Sequence, residues 1–135
     1  MWNKIFKPMD VMQKGLSAAW TRNAVIRNNI ANIETPNFKA SYVEFESIFK
    51  RSLDEGAFVG AVTHSGHREI GTGHWSNVRP MIRESRDLSM RMDGNNVDIE
   101  SENVRLAQNS IQFNTIMEKL NSELRRLRMA ISEGR

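Results

Sequence analysis

Cysteine is absent from the 135 residues. Without thiols the chain has no disulfide, no thiolate metal ligand and no thiol nucleophile, and its redox compartment stays open. Also missing is any apolar run near the roughly 18 residues that a membrane-spanning helix needs. The opening Met1-Trp2-Asn3-Lys4-Ile5-Phe6-Lys7-Pro8 carries charge but no continuous apolar stretch, which argues against a cleaved secretory signal. Such a chain is expected to stay in the cytoplasm or to leave by a machine that reads no signal of that kind. No Gly-x-x-x-x-Gly-Lys-Ser/Thr phosphate loop and no Gly-x-Ser-x-Gly elbow occurs. Carboxylates are scattered, with no apolar pocket to push a pair of pKa values apart. An enzyme would have little to work with here, so no catalytic residue, cofactor or small-molecule substrate is expected.

Hydrophobic residues make up 39% and charged residues 26%, a balance that fits one domain with a core of modest size. The net charge is only +3, and basic and acidic residues are interspersed along most of the chain. That pattern reads as a solvated surface rather than a polyanion-binding face. What stands out is a heptad-type apolar stripe at each end. Met9, Met12, Leu16, Ala19, Asn23, Ile26, Ile30 and Ile33 alternate at spacings of three and four. So do Ile99, Asn103, Leu106, Ser110, Phe113, Met117, Leu120, Leu124, Leu127 and Ile131. A 3-4 alternation places all these side chains on one seam of an α-helix, the kind of seam that coiled coils bury.

The first helix is expected to start near Pro8 to Asp10 and to run to Asn32 or Ile33, with Pro36 forbidding its continuation. Asn32 is a candidate left-handed cap. Val11, Ala18 and Val25 recur every seven residues beside the main seam, and Trp20, Ala24 and Ala31 add apolar surface at another edge. A single partner helix would leave some of this surface wet. Tyr42, Phe45, Ile48 and Phe49 suit a short helix or an extended segment packed on the first helix. Phe58–Thr63 is the best strand candidate in a glycine-punctuated stretch that follows. Asp93-Gly94-Asn95-Asn96 is a turn signal, and Asp98 is the expected N-cap of a last helix over Ile99–Ile131. Glu100 and Glu102 in its first turn and Arg125, Arg126 and Arg128 near its end suit the helix dipole. The fold class read from this is mainly α, with the terminal helices paired as a coiled-coil-like hairpin around a small irregular or β middle. It divides as 1–39, 40–96 and 97–135.

His64, His67, His74 and Glu69 are the one group resembling a metal site. Their spacing matches no standard motif and their stretch is glycine-rich, so they read as solvated loop residues and no metal is expected. Leu124-Arg125-Arg126-Leu127-Arg128 admits a basic amphipathic reading, a small coiled-coil module binding nucleic acid or an anionic membrane. That alternative predicts binding that collapses as salt rises. The plainer account is a helix end with charges suited to its dipole.

Two motifs give the chain a family resemblance. Asn29-Ile30-Ala31-Asn32-Ile33-Glu34-Thr35-Pro36-Asn37-Phe38-Lys39 is an apolar helix ending in an Ala-Asn pair, then Thr-Pro, then an aromatic and a lysine. Asp93-Gly94-Asn95-Asn96-Val97-Asp98-Ile99 leads into the last helix. Together with the C-terminal heptads these make the chain similar to the bacterial flagellar basal-body rod proteins, closest to those of the proximal rod. The signature positions are Asn32, Thr35, Pro36, Phe38, Asn96, Val97 and Asp98. The resemblance implies a structural subunit that assembles helically through its terminal helices and transmits torque in the periplasm-spanning rod. It would be exported by the flagellar type III apparatus without a cleaved signal. Implied partners are further copies of itself, the related rod protein FlgC and the membrane-ring adaptor FliE, with no nucleic acid. The expected subunit-interface residues are Leu16, Trp20, Asn23, Ile26, Ile30, Ile33, Leu106, Phe113, Met117, Leu120, Leu124 and Leu127.

Overall fold

Residues 2–54, 77–87, 89 and 91–132 are described by a computed structural model. Two helices dominate it, α1 (Trp2–Ala31) and α3 (Ile99–Ser132), about 45 and 51 Å long at the standard rise. Between them come strand β1 (Ser41–Glu44), helix α2 (Glu46–Asp54) and strand β2 (Met81–Glu84). The expected strand at 58–63 and the histidine group lie outside the described residues.

Contacts between the long helices run in opposite order along the chain. Asn29 bonds Glu102, Asn109 bonds the Ala19 carbonyl, and Gly15 faces Ile116. The pair is therefore an antiparallel hairpin, the mainly α architecture that the two stripes imply. Asp98 caps α3 as expected: its Oδ1 accepts from the Glu100 N–H at 3.0 Å and its carbonyl from Glu102 at 2.9 Å. The start of α1 differs from expectation. The helix begins at Trp2 and carries Pro8 inside it. Proline's fixed φ is helical, and what it removes is one hydrogen bond to the carbonyl four residues back.

Among the described residues between the long helices, β1, α2 and Val78 pack on a second face of α1. β1 and β2 pair antiparallel with Tyr42 opposite Arg83 and Val43 opposite Ile82. Beneath them Ala18 and Val25, the seven-residue repeat beside the main seam, join Val43, Phe45 and Val78 in a buried cluster. Ile48 and Phe49 of α2 close it, and the Phe45 and Phe49 rings stack with centroids 5.1 Å apart. The mixed segment after Ala40 is thus both an extended strand and a short helix. Phe45, Ile48, Phe49 and Ser52 turn inward because they lie three and four residues apart.

The seam that the hairpin closes is offset from the one the apolar pattern outlines. Met12, Ala19 and Ile26 of α1 and Leu106, Phe113, Leu120 and Leu127 of α3 lie on it as expected. At five alternate positions the preceding residue is the more buried: Asn29 over Ile30, Glu102 over Asn103, Asn109 over Ser110, Ile116 over Met117 and Glu123 over Leu124, while Gly15 and Leu16, and Arg22 and Asn23, are alike half-buried. Asn103 and Ser110, which interrupt the expected stripe, are exposed. The polar residues inside the seam are Asn29, Glu102 and Asn109. Small residues explain part of this shift. A Cβ on Gly15 would stand 3.3 Å from Ile116 Cδ1, and Ala18 and Ala19 are the most buried apolar residues of α1.

Phe45→Ala is expected to lower stability by about 3 kcal/mol through the lost side chain and the cavity left under the sheet. Urea denaturation followed by circular dichroism measures it, with the exposed Glu46→Ala as the reference.

Candidate functional site

Helix α1 ends in a run of polar residues that looks unfavourable from the sequence. Asn28, Asn29 and Asn32 are weak helix formers, since short amides compete for backbone partners. Their surroundings explain two of them. Asn29, fully buried, donates from Nδ2 to the Ser41 carbonyl at 2.7 Å and to Glu102 Oε2 at 3.1 Å. Its Oδ1 accepts from the Ser41 N–H at 2.9 Å. One carboxamide thus joins α1, the first residue of β1 and the first turn of α3. Glu102 is only 2% exposed and is bonded on its other oxygen by Arg105 at 2.7 Å. Asn32 belongs to the helix stop.

One turn further on, the two sequence motifs lock into each other. Asn95, also fully buried, lends its Nδ2 to the carbonyls of Asn32, Ile33 and Thr35 at 2.9–3.0 Å. These carbonyls lie in the turn just past the end of α1, where those of Asn32 and Thr35 also accept from the Thr35 and Phe38 N–H groups. Its Oδ1 accepts from the Val97 N–H, and Ser89 Oγ donates to its carbonyl. Asn96 Oδ1 accepts from the Ala40 N–H at 2.7 Å, and the Asn96 N–H reaches the Phe38 carbonyl. Lys39 Nζ donates to the Gly94 carbonyl, and Arg91 to that of Ile33. Asn32 is not the left-handed residue of the helix stop. Asn37 is, with φ 59°, while the Asn32 side chain folds back to donate to the Asn28 carbonyl. Gly94 takes φ 76° opposite it, where a Cβ would stand 2.7 Å from Asn37 Oδ1. Thr35 Oγ1 bonds Asn32, and Thr35, Pro36 and Asp98 are exposed while Val97 is buried.

Asp93 anchors the turn electrostatically. Its carboxylate accepts from the Asn95 N–H and pairs with Arg91 at 2.7 Å. The Asn95 bond foremost, then Arg91, holds its pKa below the ordinary aspartate value. Glu44 on β1 is likewise lowered by its hydrogen bond to Arg83 on β2.

The residues expected at subunit contacts divide by exposure. Ile26 is buried. Leu16, Asn23, Ile30, Ile33, Leu106, Phe113, Leu120 and Leu127 are half-buried along the hairpin. Trp20 is 73% exposed, and Met117 and Leu124 are also exposed. The hairpin has two grooved flanks. One carries β1. The other is lined by Trp20, Asn23, Arg27, Ser110, Phe113 and Asn114, with no residue of the strands. Into that groove also opens Asn109, which donates from Nδ2 to the Ala19 carbonyl at 2.9 Å. Its buried Oδ1 has no partner among the described residues. Apolar counting passes over Asn29, Asn95 and Glu102. The signal that could find the asparagines is composition, since short amides clustered at a helix end mark capping sites.

Asn29→Ala leaves the buried Ser41 amide and carbonyl and one oxygen of Glu102 without a partner, and is expected to lower stability by at least about 2 kcal/mol. The exposed neighbour Asn28→Ala should shift it by less than about 0.5 kcal/mol. Thermal or urea unfolding of the two variants side by side checks this. A second expectation concerns acid. A carboxylate whose pKa is depressed on folding stabilises the fold above its unfolded value, and that contribution is lost as the pH falls through the folded one. The Asp93→Asn variant should therefore unfold at lower temperature than the parent at pH 7. The two should converge below the ordinary aspartate pKa of about 3.9, as a melting series across pH would record.

Residues 9–39, the bulk of α1 and its stop, match the family described as flagella basal body rod protein. Over nearly the whole chain there is likeness to curated relatives that bear one name, flagellar basal body rod protein FlgB. The Bacillus subtilis protein is 32% identical over 124 residues, 92% of each chain. That of Borrelia hermsii is 35% identical over 112 residues, 78% of this chain and 81% of the relative. That of Yersinia enterocolitica is 26% identical over 139 residues, spanning 99% of this chain and all of the relative. Identity and coverage of this extent lead to one conclusion: the chain belongs to the FlgB family of flagellar basal body rod proteins, a structural family rather than an enzymatic one.

Proposed function

We propose that the chain is a structural subunit of the proximal rod, built into the bacterial flagellar basal body by helical assembly through its terminal helices, and that it carries torque. The observation that supports this most is the mismatch between the apolar stripe and the seam. Closing the hairpin buries one flank of each stripe and leaves Trp20, Ile111, Met117, Leu124 and Ile131 exposed at 37–75% of their surface. Large apolar side chains left exposed along a helix pair suit a protein contact. Further copies and related rod proteins would cover it, with Leu16, Trp20, Asn23, Ile30, Met117 and Leu124 at the contact. The neighbours in this reading are FlgC and, at the membrane ring, FliE.

Transmitting torque demands that the two helices of a subunit do not slide past each other. Apolar packing alone resists sliding weakly, because one methyl contact replaces another. Directional bonds do not slip so easily. Asn109 to Ala19 and Asn29 to Glu102 and Ser41 fix the hairpin at two heights about 10 residues of α1 apart. The interlocked motifs at 32–39 and 91–98 would hold the outer segment to that same end.

Trp20→Asp and Leu124→Asp place a carboxylate on exposed positions, so each variant should keep the helix content of the parent. Both are expected to abolish swimming and to be missing from isolated basal bodies, as judged by motility agar and immunoblotting of the fractions. Normal motility with normal incorporation of both variants would count decisively against the reading.

A further inference from the structure

The antiparallel hairpin brings the start of α1 to the end of α3. Pro8 and Met9 share a cleft with Arg126, Leu127 and Ala130, so residues 2–7 and 128–132 form one end of the helix pair. Charge at this end has one sign. Residues 2–9 and 124–132 hold Lys4, Lys7, Arg125, Arg126 and Arg128 and no carboxylate. Glu123, just inside, pairs with Arg126 and Lys119, whereas Arg125 and Arg128 have no ion-pair partner among the described residues. The clasped end is mixed by contrast: Glu34, Asp93 and Glu100 stand among Lys39, Arg91 and Arg105.

The helix dipole accounts for little of this. It favours anions in a first turn and cations in a last turn, and it fades beyond them. Helix α3 runs on to Ser132, and its last turn holds no basic residue, so the expected match between the arginines and the dipole is weak. Helix α1 has no acidic residue in its first turn, where Lys4 stands instead, at the end that repels a cation. Five cations gathered against their own repulsion, one of them against the dipole as well, fit an anion outside the chain.

The apolar residues among them narrow the kind of anion. Every residue from 128 to 132 is exposed, Met129 at 53% and Ile131 at 75%. In the sequence Trp2, Ile5, Phe6 and Met9 fall at the spacing of one helix face. The phosphates of a nucleic acid need the cations alone, and aliphatic side chains gain nothing from them. At the surface of an anionic bilayer both sets are used: cations meet headgroups while apolar side chains enter the acyl boundary.

We propose that this end of the hairpin is a separate interaction site that docks onto the surface of a bilayer carrying anionic lipid. Arg125 and Arg128 meet the headgroups, Met129 and Ile131 enter the acyl boundary, and the start of α1 adds its two lysines to the field. Among the described residues no helix is long and apolar enough to cross a membrane, so the attachment is peripheral and reversible. The residues placed at the rod contact end on α3 with Leu124. The site lies beyond them and does not depend on that reading.

Cosedimentation of the full-length chain with vesicles tests this, comparing phosphatidylglycerol and phosphatidylcholine in equal parts with phosphatidylcholine alone. The parent should bind the anionic vesicles, ignore the zwitterionic ones and let go as salt rises. The Arg125→Glu, Arg128→Glu double variant should bind at least about ten-fold more weakly, since each charge near such a surface is worth about five-fold. Ile131→Ser should weaken binding by about five-fold through lost apolar burial. Circular dichroism verifies that each variant keeps the helix content of the parent. The inference is overturned if the parent binds neither vesicle or both alike, or if either variant binds as the parent does. Duplex DNA held as tightly as the anionic vesicles, with Ile131→Ser indifferent to both, overturns it in favour of a general polyanion site.

Discussion

Asn29 joins three elements through a single buried carboxamide. It sits in the last turns of α1, bonds both the amide and the carbonyl of Ser41 where β1 begins, and meets Glu102 in the first turn of α3. A buried amide tolerates no partner of the wrong shape, because each unmet donor or acceptor loses its hydration without replacement. Apolar contacts along the hairpin would accept small shifts in register, whereas this site accepts one. The position of the strand pair and the height at which α3 starts both follow from it.

The second constraint lies next to the first. Helix α1 must stop and the chain must turn into β1 within a few residues, leaving carbonyls to be satisfied. Asn95 reaches across from the segment before α3 to meet three of them, so residues 60 or more positions apart complete one helix stop. The two segments are thus halves of a single structural device, joined through Asn95, Asn96, Lys39 and Arg91. Gly94 and Asn37 supply the left-handed backbone that lets the halves face each other closely.

For a rod protein these features divide the work along the subunit. The clasped end is polar, directional and closed upon itself. The hairpin body is narrow, with one flank covered by the strands and α2 and the other left apolar and grooved. A subunit built this way has a defined shape and an unsatisfied side, which suits an element of an assembly. Its buried asparagines and glutamate cost stability that a plainer hairpin would keep, and what they give in return is a unique register.

Helical periodicity in the sequence determined the two long helices, their pairing and the end of α3, because a three-four alternation of apolar residues has one efficient burial geometry. Local chemistry likewise determined the Asp98 cap and the turn at Gly94. Tertiary structure alone decided which flank of each stripe is buried. Apolar counting centres on the widest stripe, while the hairpin chose the flank where Gly15 and Ala19 meet α3 and where Asn29, Glu102 and Asn109 find partners. It also decided that Asn37 rather than Asn32 takes the left-handed turn, since that depends on Gly94 and Asp93 arriving from far along the chain. Partners that lie distant in sequence and adjacent in space leave no periodic mark to read.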